Sequence, residues 1–357
     1  GIRRGGFPRP GRYNAAMRVL VVNAGSATVK LSVLDGETEV FAHTVEGHDP
    51  AGALRQAGEL PPVDAVGHRI VHGGPDFAAG VVVTDEVAAR LEKLTDLAPL
   101  HNPPALAALA EARRLLPAVP HVAAFDTAFH RTIPARAATY PVPHAWTHDW
   151  GVHKYGFHGL SHAYCSRRAA ELLGRTGDPD FRVVVAHLGG GCSLAAVRGG
   201  SSVDTTMGFT PLDGLMMGTR CGAIDPGVLI HVQRHHGLTV DQIEHALNAE
   251  SGLLGVSGVS GDMREVERAA AAGDSRAALA LDMFAYRVRT GVGAMAAALG
   301  GLDALVFTGG IGENAAALRA RVTEPLAFLC LDPAAVLVVH TREDVTVARE
   351  VARALAP

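Results

Sequence analysis

Three glycine-containing segments are the first candidates for chemistry in this sequence. The first is Asn23-Ala-Gly25-Ser26-Ala-Thr28-Val-Lys30. A tight turn with glycine exposes backbone N–H groups, Ser26 and Thr28 add hydroxyl donors, and Lys30 supplies a point charge, a combination that suits phosphate oxygens. It is not a Walker A loop, because G-x-x-x-x-G-K-[ST] is absent and the chain returns as a strand. The competing reading is an ordinary hairpin with polar turn residues. The second segment, Gly189-Gly190-Gly191, closes a buried-strand pattern; it would admit a ligand close to the backbone or form a plain hairpin. The third, Gly310-Ile311-Gly312-Glu313-Asn314-Ala315, matches the dinucleotide fingerprint G-x-G-x-x-A, with Asp332 about where a ribose partner is expected. No second βαβ half follows it. Both phosphate readings place the ligand near a helix N-terminus.

Cations and carboxylates come next. Arg69 closes a strand in His68-Arg69-Ile-Val71-His72-Gly73-Gly74, Arg220 lies in Met217-Gly-Thr-Arg220-Cys-Gly222, and Asp126 follows a strand in Phe125-Asp126-Thr127. Such residues are commonly surface charges or structural ion pairs; glycine-flanked arginines in apolar segments shift the balance toward anion binding. His158 and His162 have i, i+4 spacing without the Glu of H-E-x-x-H, so a zinc site is not indicated.

The elements that must position these groups alternate. Val19–Asn23 and Val29–Leu34 read as a hairpin, and Phe181–Leu188 with Ser193–Val197 repeats the pattern, which suggests two related halves. A third unit is strand Ala304–Thr308, a turn over Gly309–Gly312 and a helix from about Asn314. Helices are expected over Asp85–Leu97 with Thr84 as N-cap, Pro104–Leu116 opened by Asn102, Ser161–Leu173, and Arg276–Leu299. The segment Tyr140–Gly151 reads as the inter-domain crossing. Strands alternating with helices indicate an α/β protein with mixed sheets.

Composition sets the frame. The 357 residues correspond to about two domains. At 48% hydrophobic the chain can fill full cores, and its net charge of −4 argues against a general nucleic-acid or anionic-membrane binder. Four scattered cysteines with no C-x-x-C pair fit a reducing cytosol. No apolar run reaches the roughly 18 residues of a transmembrane helix. Residues 1–16, basic and rich in Gly and Pro, read as a tag or a disordered extension. The expectation is a cytoplasmic protein.

Taken together the segments resemble the acetate kinase family, within the acetate and sugar kinase, heat-shock chaperone and actin superfamily. The longest match runs Asp204-Thr-Thr-Met-Gly-Phe-Thr-Pro-Leu-Asp-Gly-Leu-Met-Met-Gly-Thr-Arg220-Cys-Gly. In order around it stand the Asn23–Lys30 hairpin, His68–Gly74, Pro99-Leu100-His101-Asn102-Pro103, Phe125–His130, Tyr155-Gly-Phe157-His158-Gly, His187–Gly191 and Phe307–Asn314. The resemblance implies two related domains of the actin-like ATPase (ribonuclease H-like) type with the site in the inter-domain cleft. Domain I would take 17–130 with 345–357, and domain II 131–344. It also implies a homodimer.

The implied activity is reversible, magnesium- or manganese-dependent phosphorylation of acetate, or another short-chain carboxylate, by ATP. The physics agrees, because two anions must be brought together and the transferring phosphoryl group needs cations around it. By the resemblance Arg69 holds the carboxylate, while Val71, Leu100, Phe157 and Pro211 form the acyl pocket. Arg220 and His158 act on the phosphoryl group. Ser26, Thr28 and Lys30 contact ATP phosphates, as do His187, Leu188, Gly189, Gly190 and Gly191. Asp262, Met263 and Arg264, with Gly310, Ile311, Gly312, Glu313 and Asn314, take the adenosine end. Asn23 and Glu343 organise the metal. Asp126 matches the family's essential aspartate; acetate is already ionised at pH 7, so orienting an arginine or a metal-bound water suits it better than taking a proton.

The chain departs from the family pattern at Gly190, where an Asn is usual, at Ala223 for an Asp, and at His153 for an Arg. It also has shorter stretches between Val33 and Arg69 and between Cys330 and Thr341. The alternatives are a propionate or butyrate kinase or a divergent acyl kinase of reduced activity, then a nucleotide-binding module without chemistry. An NAD oxidoreductase built on Gly310–Ala315 comes last.

Overall fold

In the computed structural model, residues 17–24, 28–47, 50–56, 58, 60–98 and 101–356 are described. The extension expected over residues 1–16, the turn residue Ser26 and the pocket residue Leu100 lie outside them. The chain divides into two units, one of residues 1–128 with 343–357 and one of residues 129–342.

The first unit holds a six-stranded sheet of β1 (Arg18–Ala24), β2 (Thr28–Asp35), β3 (Thr38–Glu46), β4 (Ala65–Ile70), β5 (Val81–Val82) and β6 (His121–Phe125), in the order β3-β2-β1-β4-β6-β5. β1, β4 and β6 are parallel; β2, β3 and β5 are antiparallel to their neighbours. Near-continuous apolar runs such as Val19–Val22 are what a strand covered on both faces needs. One face packs Leu20, Val22, Leu31 and Val66 against Ala108 and Ala112 of the helix Asn102–Leu115. On β4 a Cβ at Gly67 would lie 2.5 Å from Val347 and 2.8 Å from Val351. Glycine there lets the helix Glu343–Ala354 lie close against the sheet.

The second unit holds β7 (Arg182–Leu188), β8 (Cys192–Arg198), β9 (Ser201–Thr205), β10 (Ala304–Thr308) and β11 (Val336–Val338), in the order β11-β10-β7-β8-β9. An antiparallel meander followed by two added parallel strands is also the plan of β1–β3 with β4 and β6. The halves therefore share one design, as the repeated hairpin pattern suggested.

Three boundaries differ from expectation. The helix after Thr84 ends at Glu92, with a short 3-10 turn over Thr95–Leu97; the Leu94 carbonyl accepts from Leu97 N at 3.1 Å and also from Asn102 Nδ2 at 3.4 Å. The glycines after β10 are not a loop. Helix begins at Gly309, whose φ of +78° makes the abrupt strand-to-helix turn, and runs to Asn314 before Ala316–Thr323 continues. Residues 140–151 belong to the second unit rather than to a crossing. There Tyr140 Oη accepts from Phe209 N at 2.8 Å and the rings of Trp146 and Trp150 stack at 5.8 Å.

Candidate active site

Parallel pairing of β1, β4 and β6 brings their C-terminal ends to one edge, the usual ligand edge of such sheets. That edge carries Asn23, Arg69 and Asp126, and Asp126 N donates to Ile70 O at 3.1 Å. Arg69 Nε and Nη2 donate to Asp126 Oδ1 and Oδ2 at 3.1 and 2.7 Å, a fork matched to a carboxylate. Its Nη1 donates to Asn23 Oδ1 at 3.2 Å and pairs with Glu343 Oε2 at 2.9 Å. Asn23 Nδ2 donates to the same Glu343 oxygen at 3.3 Å. Among the described residues four of the five guanidinium N–H groups are engaged, which leaves one on Nη2 for a further acceptor.

The Asp126 side chain is 2% exposed and that of Arg69 18%. Burial disfavours the Arg69 charge, but Asp126 and Glu343 outweigh it and hold the guanidinium above its ordinary value. Burial raises the Asp126 carboxyl above its usual range while Arg69 pulls it down and Glu343 adds to the rise. One cation between two carboxylates leaves the cluster with a charge of −1. In the adjoining hairpin Lys30 is exposed and paired across from Asn23, Thr28 is half-buried at the start of β2, and Val71 is half-buried just after β4.

In the second unit, β7 ends with His187 and Leu188, and Gly189 N donates to Gly191 O at 3.0 Å to close the turn into β8. The Leu188 side chain is buried, so only its backbone is available to a ligand. A Cβ on Gly191 would lie 3.2 Å from each of Arg220 Nη2, His158 Cε1 and His158 Nε2. Arg220 and His158 therefore converge on one side of the glycine turn. The same construction on Gly189 falls 3.9 Å from Gly310 N, so the start of the Gly309–Asn314 helix adjoins this turn.

Arg220 donates from Nη1 to Pro211 O at 2.8 Å, and no carboxylate pairs with it among the described residues. Burial pulls it below the ordinary guanidinium value and only the Cys192 thiol opposes that. A half-buried guanidinium without a carboxylate partner among the described residues is chemically suited to an anion. His158 precedes the helix Gly159–Leu172 with φ of +55°; its Nδ1 lies 2.9 Å from Ser193 Oγ and its ring stacks on His187 at 4.3 Å. Phe157 is 1% exposed, a core side chain whose carbonyl meets His130 Nε2 at 2.9 Å.

The expected adenosine residues are placed unevenly. Gly310 is exposed, Ile311 half-buried and Gly312 buried. Glu313 is committed to its own helix start: it accepts from Gly309 N at 3.0 Å and Thr308 Oγ1 at 3.4 Å, and pairs with His340 at 2.8 Å. Asn314 Nδ2 donates to Gly310 O at 2.8 Å. Asp262 caps the helix Met263–Ala271 and pairs with exposed Arg264, whose hydrogen bonds hold the Asp262 carboxyl at about 2; Met263 is buried. Asp332, the residue at ribose-partner spacing, caps the turn Pro333–Ala335 and accepts from Ala334 N at 2.9 Å.

Some of the surrounding architecture was not read from the sequence. Lys154 Nζ donates to Asp204 Oδ1 at 2.7 Å and Thr205 O at 2.9 Å, tying the segment before His158 to the Asp204–Gly222 motif. Ser193 meets His162 as well as His158. The i, i+4 histidine spacing was the available signal, and both rings meet one hydroxyl. Among the described residues no group of three His, Cys, Asp or Glu could hold a metal ion.

The sequence profile of the Acetokinase family matches residues 51–354. The acetate kinase of Gloeobacter violaceus is 50% identical over 321 residues, 84% of this chain and 79% of that protein. Among solved structures, the acetate kinase of Porphyromonas gingivalis matches with a TM-score of 0.87 at 37% identity, covering 96% of this chain and 100% of that one. A propionate kinase from Francisella tularensis matches with a TM-score of 0.85 at 36% identity, covering 94% and 98%.

Proposed function

This chain belongs to the acetokinase family, and from that premise we propose that it transfers the γ-phosphoryl group of ATP reversibly to acetate, giving acetyl phosphate and ADP. It is a phosphotransferase with a carboxyl acceptor, and the dehydrogenase and inert-module readings fall away. The observation that supports the chemistry best is the convergence of Arg220 and His158 beside the Gly189–Gly191 turn, with no carboxylate neutralising the arginine among the described residues.

In the forward reaction a carboxylate oxygen forms a bond to the γ-phosphorus and the bond to the β,γ-bridging oxygen breaks. No proton moves, because acetate is ionised at pH 7. Arg220 and His158 stabilise charge on the transferring group. Backbone N–H groups of Gly189–Gly191, with Ser26, Thr28 and Lys30 of the hairpin, hold the ATP phosphates; the Gly310–Asn314 backbone and Asp262–Arg264 take the adenosine end. Arg69 offers its remaining Nη2 N–H to the acetate carboxylate, with half-buried Val71, just after β4, as the apolar neighbour for the methyl group. Asp126 holds the Arg69 fork rather than acting as a base. Asn23 and Glu343 are the residues that would hold magnesium or manganese, offering hard oxygens, now engaged by Arg69 Nη1, in a cluster of charge −1. When bound, the ion would withdraw charge from phosphate oxygens.

Propionate is the second acceptor to consider, because the matched Francisella structure is a propionate kinase. One methylene in an apolar pocket is worth only about 1–3 kcal/mol. Steady-state assays over C2 to C4 carboxylates with ATP and magnesium, trapping acyl phosphate as the hydroxamate, decide the matter. Highest kcat/KM with acetate is expected, and turnover with none of them would refute the proposal.

The same reading includes a homodimer in the cytoplasm. The helices Pro226–His236 and Val240–Ala249 bury no residue, and Ile224, Val228, Ile230 and Val240 are exposed on or beside them. Such an apolar surface suits a second copy of the chain. No described helix is long and apolar enough to cross a membrane.

A further inference from the structure

Ser193 Oγ, on β8 and fully buried, lies between two imidazoles, 2.9 Å from His158 Nδ1 and 2.8 Å from His162 Nε2. The other nitrogen of the second ring, His162 Nδ1, is buried with no hydrogen-bond partner among the described residues. We propose that His162 and Ser193 are positioning residues that fix His158 in its Nε2–H tautomer, so that its proton lies on the nitrogen that shares the Gly191 face with Arg220 Nη2.

The inference follows from counting protons. A neutral imidazole carries one N–H. Burial, and then the neighbouring His130 and His187, keep His162 neutral. On Nδ1 that proton would be a buried donor with nothing to receive it, the rarer and more costly kind of orphan. On Nε2 it is donated to Ser193 Oγ. With His158 neutral as well, the serine hydroxyl then donates its own proton to His158 Nδ1, its other ring neighbour among the described residues. That nitrogen becomes an acceptor, and the His158 proton is left on Nε2. The opposite tautomer would turn a lone pair toward the oxygens of a phosphoryl group. The ring is also pinned by its left-handed backbone at φ of +55° and by stacking on His187 at 4.3 Å.

The choice of phosphoryl oxygen as the group that meets His158 rests on the acyl-kinase reading; the tautomer itself does not. In protein labelled with ¹⁵N-histidine, the His158 ring signals, assigned by their loss in His158→Gln, are expected to show protonated Nε2 and bare Nδ1 without any turnover. Ser193→Ala is expected to give a mixture of tautomers and about a tenfold lower kcat, with KM for acetate and ATP within about twofold. Ser193→Thr, which keeps the hydroxyl, is expected to restore both. A wild-type His158 protonated on Nδ1 overturns the proposal even if the alanine variant fails to fold. So does a Ser193→Ala protein that keeps both tautomer and kcat. Absence of acetate-dependent ATP consumption would refute the functional reading instead.

Discussion

Arg69 is held by Asp126 through two parallel hydrogen bonds at 3.1 and 2.7 Å, while the same guanidinium reaches Glu343 at 2.9 Å. Asp126→Asn keeps a hydrogen-bond acceptor but removes the charge that fixes the fork. Turnover is expected to fall at least a hundredfold, and the magnesium concentration giving half-maximal rate to change, since the cluster charge rises from −1 to 0. Stability is expected to drop by about 3 kcal/mol, read from urea unfolding. An unaltered magnesium response would count against Asp126 as an organiser of this cluster.

Arg220 makes the opposite case, because no carboxylate balances it among the described residues. Arg220→Ala is expected to lower kcat by about 10²–10³ while leaving Tm equal or slightly higher. A large loss of stability with intact kcat would show the arginine to be structural.

At Gly190 an added Cβ meets nothing within 4 Å, and the residue is exposed. Gly190→Asn is therefore expected to fold with stability changed by less than about 0.5 kcal/mol. If the turn holds phosphates, the new amide gives a KM for ATP several-fold lower. An unchanged or higher KM would separate this turn from the nucleotide.

Buried histidines predict acid sensitivity. Burial depresses His68 to about 3 and His130 to about 4, and carries His162 well below its ordinary value. Below about pH 6.5 the unfolded chain takes up protons that the folded chain refuses, so stability is full above that point and declines as pH falls toward the folded values. Each group contributes up to about 1.4 kcal/mol per pH unit inside that window. Urea midpoints at pH 7, 6 and 5 should fall in step; a flat response would mean these rings are solvated.

The exposed apolar surface on the helices Pro226–His236 and Val240–Ala249 gives the last expectation. Ile230→Glu should convert a dimer to a monomer in sedimentation analysis without unfolding it. A parent chain that already sediments as a monomer would remove the homodimer.

Hairpin and parallel-strand patterns were legible because buried strands are written in local runs such as Val19–Val22 and Val183–Ala186. The family was legible because its motifs are local runs too. The helix starting at Gly309 was missed: glycines read as a loop until Glu313, four residues on, is seen to accept from the Gly309 N–H. Residue types and motif order alone thus determined the fold class and the family. Only the tertiary structure decided that Arg69 is shared by Asp126 and Glu343 while Arg220 has no carboxylate among the described residues, and that one serine joins two histidines. The reason is physical: an arginine's free donors and a histidine's tautomer depend on partners far away in sequence, which only strand pairing and helix packing bring within 3 Å or so.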